Sequence, residues 1–193
     1  MKPRLKDIPN LISIARVILT VPVALLLLDE RFAEALFLFF VAGVSDGLDG
    51  YLAKRYGWRS RLGSILDPLA DKALLVTSYL CLAWVGLIPF WLVALVMGRD
   101  IVIVLGGLAF HWLVGRYEMS PTWISKINTT LQITLVLALV LANGVYPLPD
   151  VLIVALVYGV SVTTVLSGLD YTWTWGRRAF SIRQTKQQAS NKK

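Results

Sequence analysis

A chain of 193 residues is one domain's worth, and with 56% hydrophobic and only 16% charged residues it lies far from the roughly 25% charged expected of a soluble protein. A net charge of +7 raises nucleic acid as a partner, but a mean hydropathy of +0.66 and several apolar runs near the ~20 residues of a bilayer-crossing helix point to an integral membrane protein. The single cysteine, Cys81, excludes a disulfide framework and a thiolate metal site.

In chain order, apolar runs are expected at residues 8–28, 33–56, 62–86, 88–113, 123–142 and 148–172, which makes an all-α membrane protein of six transmembrane helices. The breaks "DERFAE", "KRYGWRSR", "GLIPF", "GRYEMSPTW" and "NGVYPLPD" carry the charges, Gly and Pro of turns. "MKPRLK" and the first run imitate a cleaved signal peptide, but the run is too long for one and contains Asn10 and Arg16, so it is expected to remain as a span. Residues 1–176 form the six-helix domain, and 177–193 form a basic polar tail that has nothing to bury and is expected to be partly disordered. The chain has no internal repeat.

Charge sorts by loop. Lys2, Arg4 and Lys6 precede the first run, Lys54, Arg55, Arg59 and Arg61 separate the second and third, and Arg116 and Lys126 flank the fourth break. Arg177, Arg178, Arg183, Lys186, Lys192 and Lys193 follow the last run, whereas the opposite face has only Arg31 beside Asp29, Glu30, Glu34 and Asp150. Six spans with both termini cytoplasmic satisfy the positive-inside rule at every loop, and a bacterial inner membrane is the expected location. The basic loops and tail then attract anionic membrane lipids, and no nucleic-acid partner is expected. Trp58, Trp112, Trp123, Trp173 and Trp175 fall near the predicted ends of spans, as an interfacial belt requires.

Four aspartates sit where apolar runs end and begin, in "SDGLDGYLAKR" and "GSILDPLADK". On ideal helices Asp46 and Asp49 lie about 60° apart, with Gly50 and Ala53 on the same side, and Gly63, Asp67 and Asp71 form one i, i+4 stripe. Facing lipid, each would cost roughly 2.5–3.5 kcal/mol at mid-helix, less near an end, so the two stripes are expected to face each other across a cleft. Four converging carboxylates need a cation between them, and an all-oxygen set selects Mg²⁺, Mn²⁺ or Ca²⁺ over zinc. Gly43, Gly47, Gly50, Ala53 and Gly63 fit close helix packing or clearance for a phosphate group, and beside four aspartates clearance is the favoured reading. Pro68 disfavours a helical Asp67 and is expected to kink or start a helix there. An N-cap role for Asp67 would not account for Asp71 one turn on. Metal-assisted phosphoryl-type transfer would, with a carboxylate taking the proton of an attacking hydroxyl.

The pattern Asp46-x2-Asp49-Gly50-x2-Ala53-(Lys54)-x8-Gly63-x3-Asp67-x3-Asp71 resembles the signature of the CDP-alcohol phosphatidyltransferases, and "IPNLISIAR" is similar to that family's amino-terminal segment. One position departs, Lys54 standing where the family usually has Arg, with Arg55 directly after it; Lys keeps the charge without the bidentate fork. The resemblance implies a six-helix fold, a homodimer, and two divalent cations, Mg²⁺ or Mn²⁺ with Ca²⁺ as a further occupant, in a site open to the cytoplasm. Asp46, Asp49, Asp67 and Asp71 would hold the metals, Asp71 would also be the general base, and Gly50, Ala53, Lys54 and Gly63 would border the diphosphate of CDP-diacylglycerol.

The second half of the chain bears on the acceptor. Family members that use glycerol 3-phosphate usually show Arg-Glu, a second Arg two turns later, and Lys-x-Lys-Thr; here Arg99-Asp100, Gly107 and Lys126-Ile127-Asn128-Thr129 stand instead. A phosphomonoester acceptor should want more cations than remain, so Arg99, Asp100, Lys126 and Asn128 are read as the acceptor or lipid-phosphate site, with phosphatidylglycerol as acceptor and glycerol 3-phosphate as the alternative. Simpler roles compete: an Arg99–Asp100 ion pair, Lys126 snorkelling to the interface, His111 beside Trp112 as an interfacial residue, and Lys72 screening Asp71 rather than touching phosphate. An ion transporter is a remote alternative, because the aspartates cluster at one end of one hairpin rather than in repeated halves.

Overall fold

The computed structural model describes residues 8–56, 63–114 and 122–190 and is helical throughout: α1 (Ile8–Leu28), α2 (Phe32–Tyr56), α3 (Gly63–Trp84), α4 (Phe90–Val114), α5 (Trp123–Gly144) and α6 (Asp150–Ser190). All six expected runs are helices, with ends within about two residues of expectation except at the end of α6. Stretches of α1, α4, α5 and α6 are long and apolar enough to cross a bilayer, and the protein is a multi-pass integral membrane protein. The aspartates lie on α2 and α3, which have 25 and 22 residues.

Two expectations are corrected. The helix does not begin at Pro68: α3 opens at Gly63, one residue from the start of the expected run, and contains Pro68 in its second turn, where the missing N–H forfeits only the one bond to the Ser64 carbonyl. The tail from Arg177 is not broken away from the last span, since α6 runs 41 residues to Ser190. A helix already nucleated in the membrane continues through Arg, Gln, Lys and Ala, all good helix formers, without a second nucleation cost. At 1.5 Å per residue it reaches roughly 60 Å, about twice the hydrocarbon core, so its last turns lie beyond the membrane.

Tight turns end two of the helices. Leu26 and Leu27 carbonyls accept from Arg31 N (2.8 Å) and Glu30 N (3.3 Å), which places Glu30 at φ 57°, while Leu82 and Ala83 accept from Leu87 N (2.9 Å) and Gly86 N (3.1 Å), with Gly86 at φ 82°. Glycine takes that conformation freely and glutamate does not. At the first of these turns Glu34 accepts from Arg31 Nε (2.9 Å) and Nη2 (2.6 Å), so Arg31 is neutralised where it stands. The same carboxylate raises the Arg31 pKa above its ordinary value.

Two compact units divide the chain. The first comprises α1–α3, the second half of α5 from Ile133, and the start of α6 to Val154. Here α1 packs against both α2 and α3, and Val23, Leu27, Ala35, Ala70 and Leu82 are sealed from solvent. The second comprises α4, α5 to Gln132 and α6 from Ala155, with Leu92, Val96 and Val160 in its interior. Hydroxyls inside these apolar helices bond to the preceding turn, as Ser45 to the Val41 carbonyl (2.7 Å), Ser78 to Leu74 (2.6 Å) and Ser161 to Val157 (2.7 Å), so they need no water.

Among the described glycines of the first unit, Gly144 is the one with no room for a side chain. A Cβ there would stand 2.5 Å from Ala33 N and 2.7 Å from Phe32 C, both backbone atoms that cannot swing aside, whereas a Cβ at Gly98 meets nothing within 4 Å. Gly144→Ala is therefore expected to lower the melting temperature in detergent by an amount corresponding to ~1–3 kcal/mol. Gly98→Ala should leave it unchanged or raise it slightly, since alanine is the better helix former.

Candidate active site

The acidic cluster is built in the first unit, from three helices rather than two. Ser13, Arg16 and Thr20 recur at i, i+3 and i+7, one polar stripe along α1, and all three are buried. Arg16 Nη1 lies 2.6 Å from Asp46 Oδ1 on α2 and 2.5 Å from Asp71 Oδ1 on α3. Ser13 Oγ donates to Asp67 Oδ1, and Thr20 Oγ1 donates to the Arg16 carbonyl at 3.2 Å. The Arg16 side chain is only 2% exposed while those of Asp46 and Asp71 are 50% and 56% exposed. One cation thus backs the carboxylates from within the bundle, and their remaining oxygens are open to an incoming ligand.

The expected convergence of Asp46, Asp67 and Asp71 is present in that each is held by the same face of α1. Asp49, Ala53 and Lys54 lie on α2, but their side chains fall outside the described residues, as do the surroundings of Gly63 at the start of α3. A Cβ at Gly43, Gly47 or Gly50 would meet nothing within 4 Å, so tight packing among the described residues does not require glycine there. Among the described side chains no three acids enclose a common point as a finished metal shell. The donors nonetheless suit a hard divalent cation: all are carboxylate oxygens, and one oxygen each from Asp46 and Asp71 already shares a single positive centre.

Ser13 and Arg16 escaped the sequence reading as site residues. The available signal was the arginine itself: a guanidinium in an apolar run demands an anionic partner, and the four aspartates are the obvious supply.

The second unit holds the other candidates. Thr122 caps α5, accepting from Ser125 N at 3.3 Å through its hydroxyl, and the helix then presents Ser125, Asn128 and Gln132 as a buried stripe. Arg99 on α4 reaches this stripe: its Nη2 donates to Ser125 Oγ (2.5 Å) and to Ser167 Oγ on α6 (2.6 Å), Nε also donates to Ser167 (3.2 Å), and Nη1 pairs with Asp100 (2.8 Å). Its guanidinium carbon sits 5.8 Å from the centre of the Tyr171 ring. Asn128 Oδ1 accepts from Thr163 and Thr164, both at 2.9 Å, while its Nδ2 is buried with no hydrogen-bond partner among the described residues. Lys126 is exposed, with its ammonium 5.0 Å from the Trp123 ring, whereas Arg99 and Asn128 are buried. Gly107 is buried in α4, and His111 falls outside the described side chains. Ser125, Thr163, Thr164, Ser167 and Tyr171 carried no sequence signal, because isolated hydroxyls in apolar helices usually serve only their own backbone.

Helical membrane architecture with an acidic face on its second and third helices defines the class, and the chain belongs to the CDP-alcohol phosphatidyltransferase family, which it matches over residues 6–166. Within that family it is 33% identical over 196 residues to a CMP-forming cardiolipin synthase of Rattus norvegicus, covering 93% of this chain and 64% of the relative. The corresponding protein of Homo sapiens is 32% identical over 192 residues, at 91% and 63% coverage. A CDP-diacylglycerol–glycerol-3-phosphate 3-phosphatidyltransferase of Aquifex aeolicus is 32% identical over 172 residues, covering 86% of this chain and 94% of the relative. The chain therefore spans just under two thirds of the two cardiolipin synthases and nearly all of the Aquifex protein.

The Arg99 network ties three helices with one buried charge. Arg99→Leu would remove the guanidinium that pairs with Asp100 and bonds Ser125 and Ser167, so the melting temperature in detergent is expected to fall by an amount corresponding to ~3–5 kcal/mol. Double replacement of Arg99 by Leu and Asp100 by Asn should recover a measurable part of that loss.

Proposed function

We propose that this protein is a CMP-forming cardiolipin synthase, transferring the phosphatidyl group of CDP-diacylglycerol to phosphatidylglycerol in a bacterial inner membrane, with both termini cytoplasmic and the chain working as a homodimer. The observation that carries the choice of acceptor is how the described side chains around Arg99 and Asn128 spend their charge. Arg99 spends its donors on Ser125, Ser167 and Asp100, Lys126 is turned to the surface, and the position where a second lysine would stand is the neutral, buried Asn128. A phosphomonoester carrying nearly two negative charges finds little among these described side chains to neutralise it, whereas a neutral diol asks only for hydrogen bonds. The Nδ2 of Asn128, without a hydrogen-bond partner among the described residues, is a donor of that kind.

For the donor substrate, Asp46, Asp49, Asp67 and Asp71 would hold two divalent cations, Mg²⁺ or Mn²⁺. Such ions supply charge neutralisation for the diphosphate and its leaving group. Gly47 and Gly50 leave the flank of the cluster clear where side chains would stand, and Ala53, Lys54 and Gly63 would border the diphosphate. Asp71, half-exposed beside Asp46, would take the proton of the acceptor hydroxyl. As that oxygen bonds to the lipid-side phosphorus, the bond to the bridging diphosphate oxygen breaks and CMP departs. The four carboxylates turned to this work explain why charge was placed on α2 and α3, a cost a purely structural helix pair would avoid.

The competing reading is a glycerol-3-phosphate phosphatidyltransferase, a class to which the chain is equally similar. Purified protein in detergent with Mg²⁺ or Mn²⁺ is expected to release CMP from CDP-diacylglycerol when phosphatidylglycerol is supplied. Release with glycerol 3-phosphate and none with phosphatidylglycerol would transfer the assignment to the competing class. Chelation by EDTA should abolish turnover and either cation restore it. Asp71→Asn is expected to lower kcat at least 100-fold; turnover near that of the unaltered protein with metal bound would remove Asp71 as the base.

A further inference from the structure

Arg16 has no part in the proposed chemistry, yet it contacts two carboxylates of the acidic cluster from inside the bundle. One nitrogen, Nη1, contacts one oxygen from each of two carboxylates on different helices, at 2.6 and 2.5 Å. Those two oxygens are therefore already arranged around a single positive centre. A divalent cation between them would require metal–oxygen distances of about 2.0–2.2 Å for Mg²⁺ or Mn²⁺, and a guanidinium nitrogen cannot remain at the same point. The two positive charges would also repel in a medium of low dielectric constant.

We infer that Arg16 is the built-in counter-ion of this site, and that a divalent cation enters by exchange, displacing the guanidinium from Asp46 and Asp71. This rests on the reading that those aspartates hold metal. Burial gives the exchange its direction: Arg16 approaches from inside the bundle at 2% exposure, while the carboxylates are half exposed on the other side, where an ion from water arrives. Without either cation, Asp46 and Asp71 would face each other as like charges, and the contacts of α1 with α2 and α3 would lose their electrostatic tie. Arg16 thus holds the carboxylates in register before metal binds and sets how tightly metal binds afterwards. It is a positioning residue, with no contact to substrate required. The hydrogen bond from Ser13 to Asp67 on the same stripe leaves the third carboxylate tied by a neutral donor, which a metal need not expel as a competing charge.

The test uses the full chain in detergent. Mn²⁺ affinity is read by electron paramagnetic resonance, without substrate, for the unaltered protein, Arg16→Gln and Arg16→Lys, alongside metal-free melting temperatures. Arg16→Gln is expected to bind Mn²⁺ at least tenfold more tightly and to melt lower when metal-free, with Mn²⁺ restoring the loss. Arg16→Lys, which keeps the charge but loses the fork, should fall between. In the unaltered protein labelled with ¹⁵N-arginine, diamagnetic Mg²⁺ should shift the guanidinium resonance that is missing from Arg16→Lys, a readout that does not depend on Arg16→Gln folding. Mn²⁺ binding by the unaltered protein with no tightening in Arg16→Gln, or an Arg16 resonance unmoved at saturating Mg²⁺, overturns the exchange and leaves the metal reading intact. Failure of the unaltered protein and Arg16→Gln alike to bind Mn²⁺ overturns both.

Discussion

A guanidinium buried in an apolar helix has to find its counter-charge within the protein, because lipid offers none. In the first unit that requirement joins α1 to α2 and α3 at one nitrogen, Arg16 Nη1, which meets Asp46 and Asp71. The pairing resolves two problems together: the arginine is neutralised, and the aspartates escape both mutual repulsion and an uncompensated place at the membrane surface. It also orients the chemistry. Because the arginine sits behind the carboxylates, their free oxygens face outward, where a ligand arrives.

The second unit meets the same requirement differently. Arg99 pairs with its own neighbour Asp100 and spreads its other donors over serines of α5 and α6, with an aromatic ring beside it. One charge thereby fastens three helices, its donors taken up by Ser125, Ser167 and Asp100. In the first unit the acids outnumber the arginine and remain partly exposed; in the second the arginine is consumed. The contrast gives each unit a separate mechanical logic.

Much of this was legible from residue order. Six helices follow from apolar runs of bilayer length, and the aspartate spacing places Asp46 with Asp49 and Asp67 with Asp71 on shared faces, because the helical repeat is fixed by backbone geometry. The departure from Lys-x-Lys at Asn128 was equally visible. Less legible was the end of α6, since a polar composition denotes exposure to water and does not by itself end a helix. The start of α3 was legible from the apolar run at 62–86, and only the reading of Pro68 as a helix start failed, since a proline near a helix's beginning forfeits one bond without ending it.

By itself, the sequence determined that the chain resides in a membrane, how many helices it forms, that carboxylates line two of them, and which family it joins; composition, period and spacing are local properties. Tertiary structure alone decided which distant groups meet. Arg16 is 30 residues from Asp46 and 55 from Asp71, yet one of its nitrogens touches both. Arg99 reaches Ser125 and Ser167 on two other helices, while Lys126, next to Ser125 in sequence, turns away to Trp123. Helical period fixes a side chain's direction only relative to its own axis. The packing of one axis against another determines its partner, and in an apolar medium an unpartnered charge is costly enough to govern that packing.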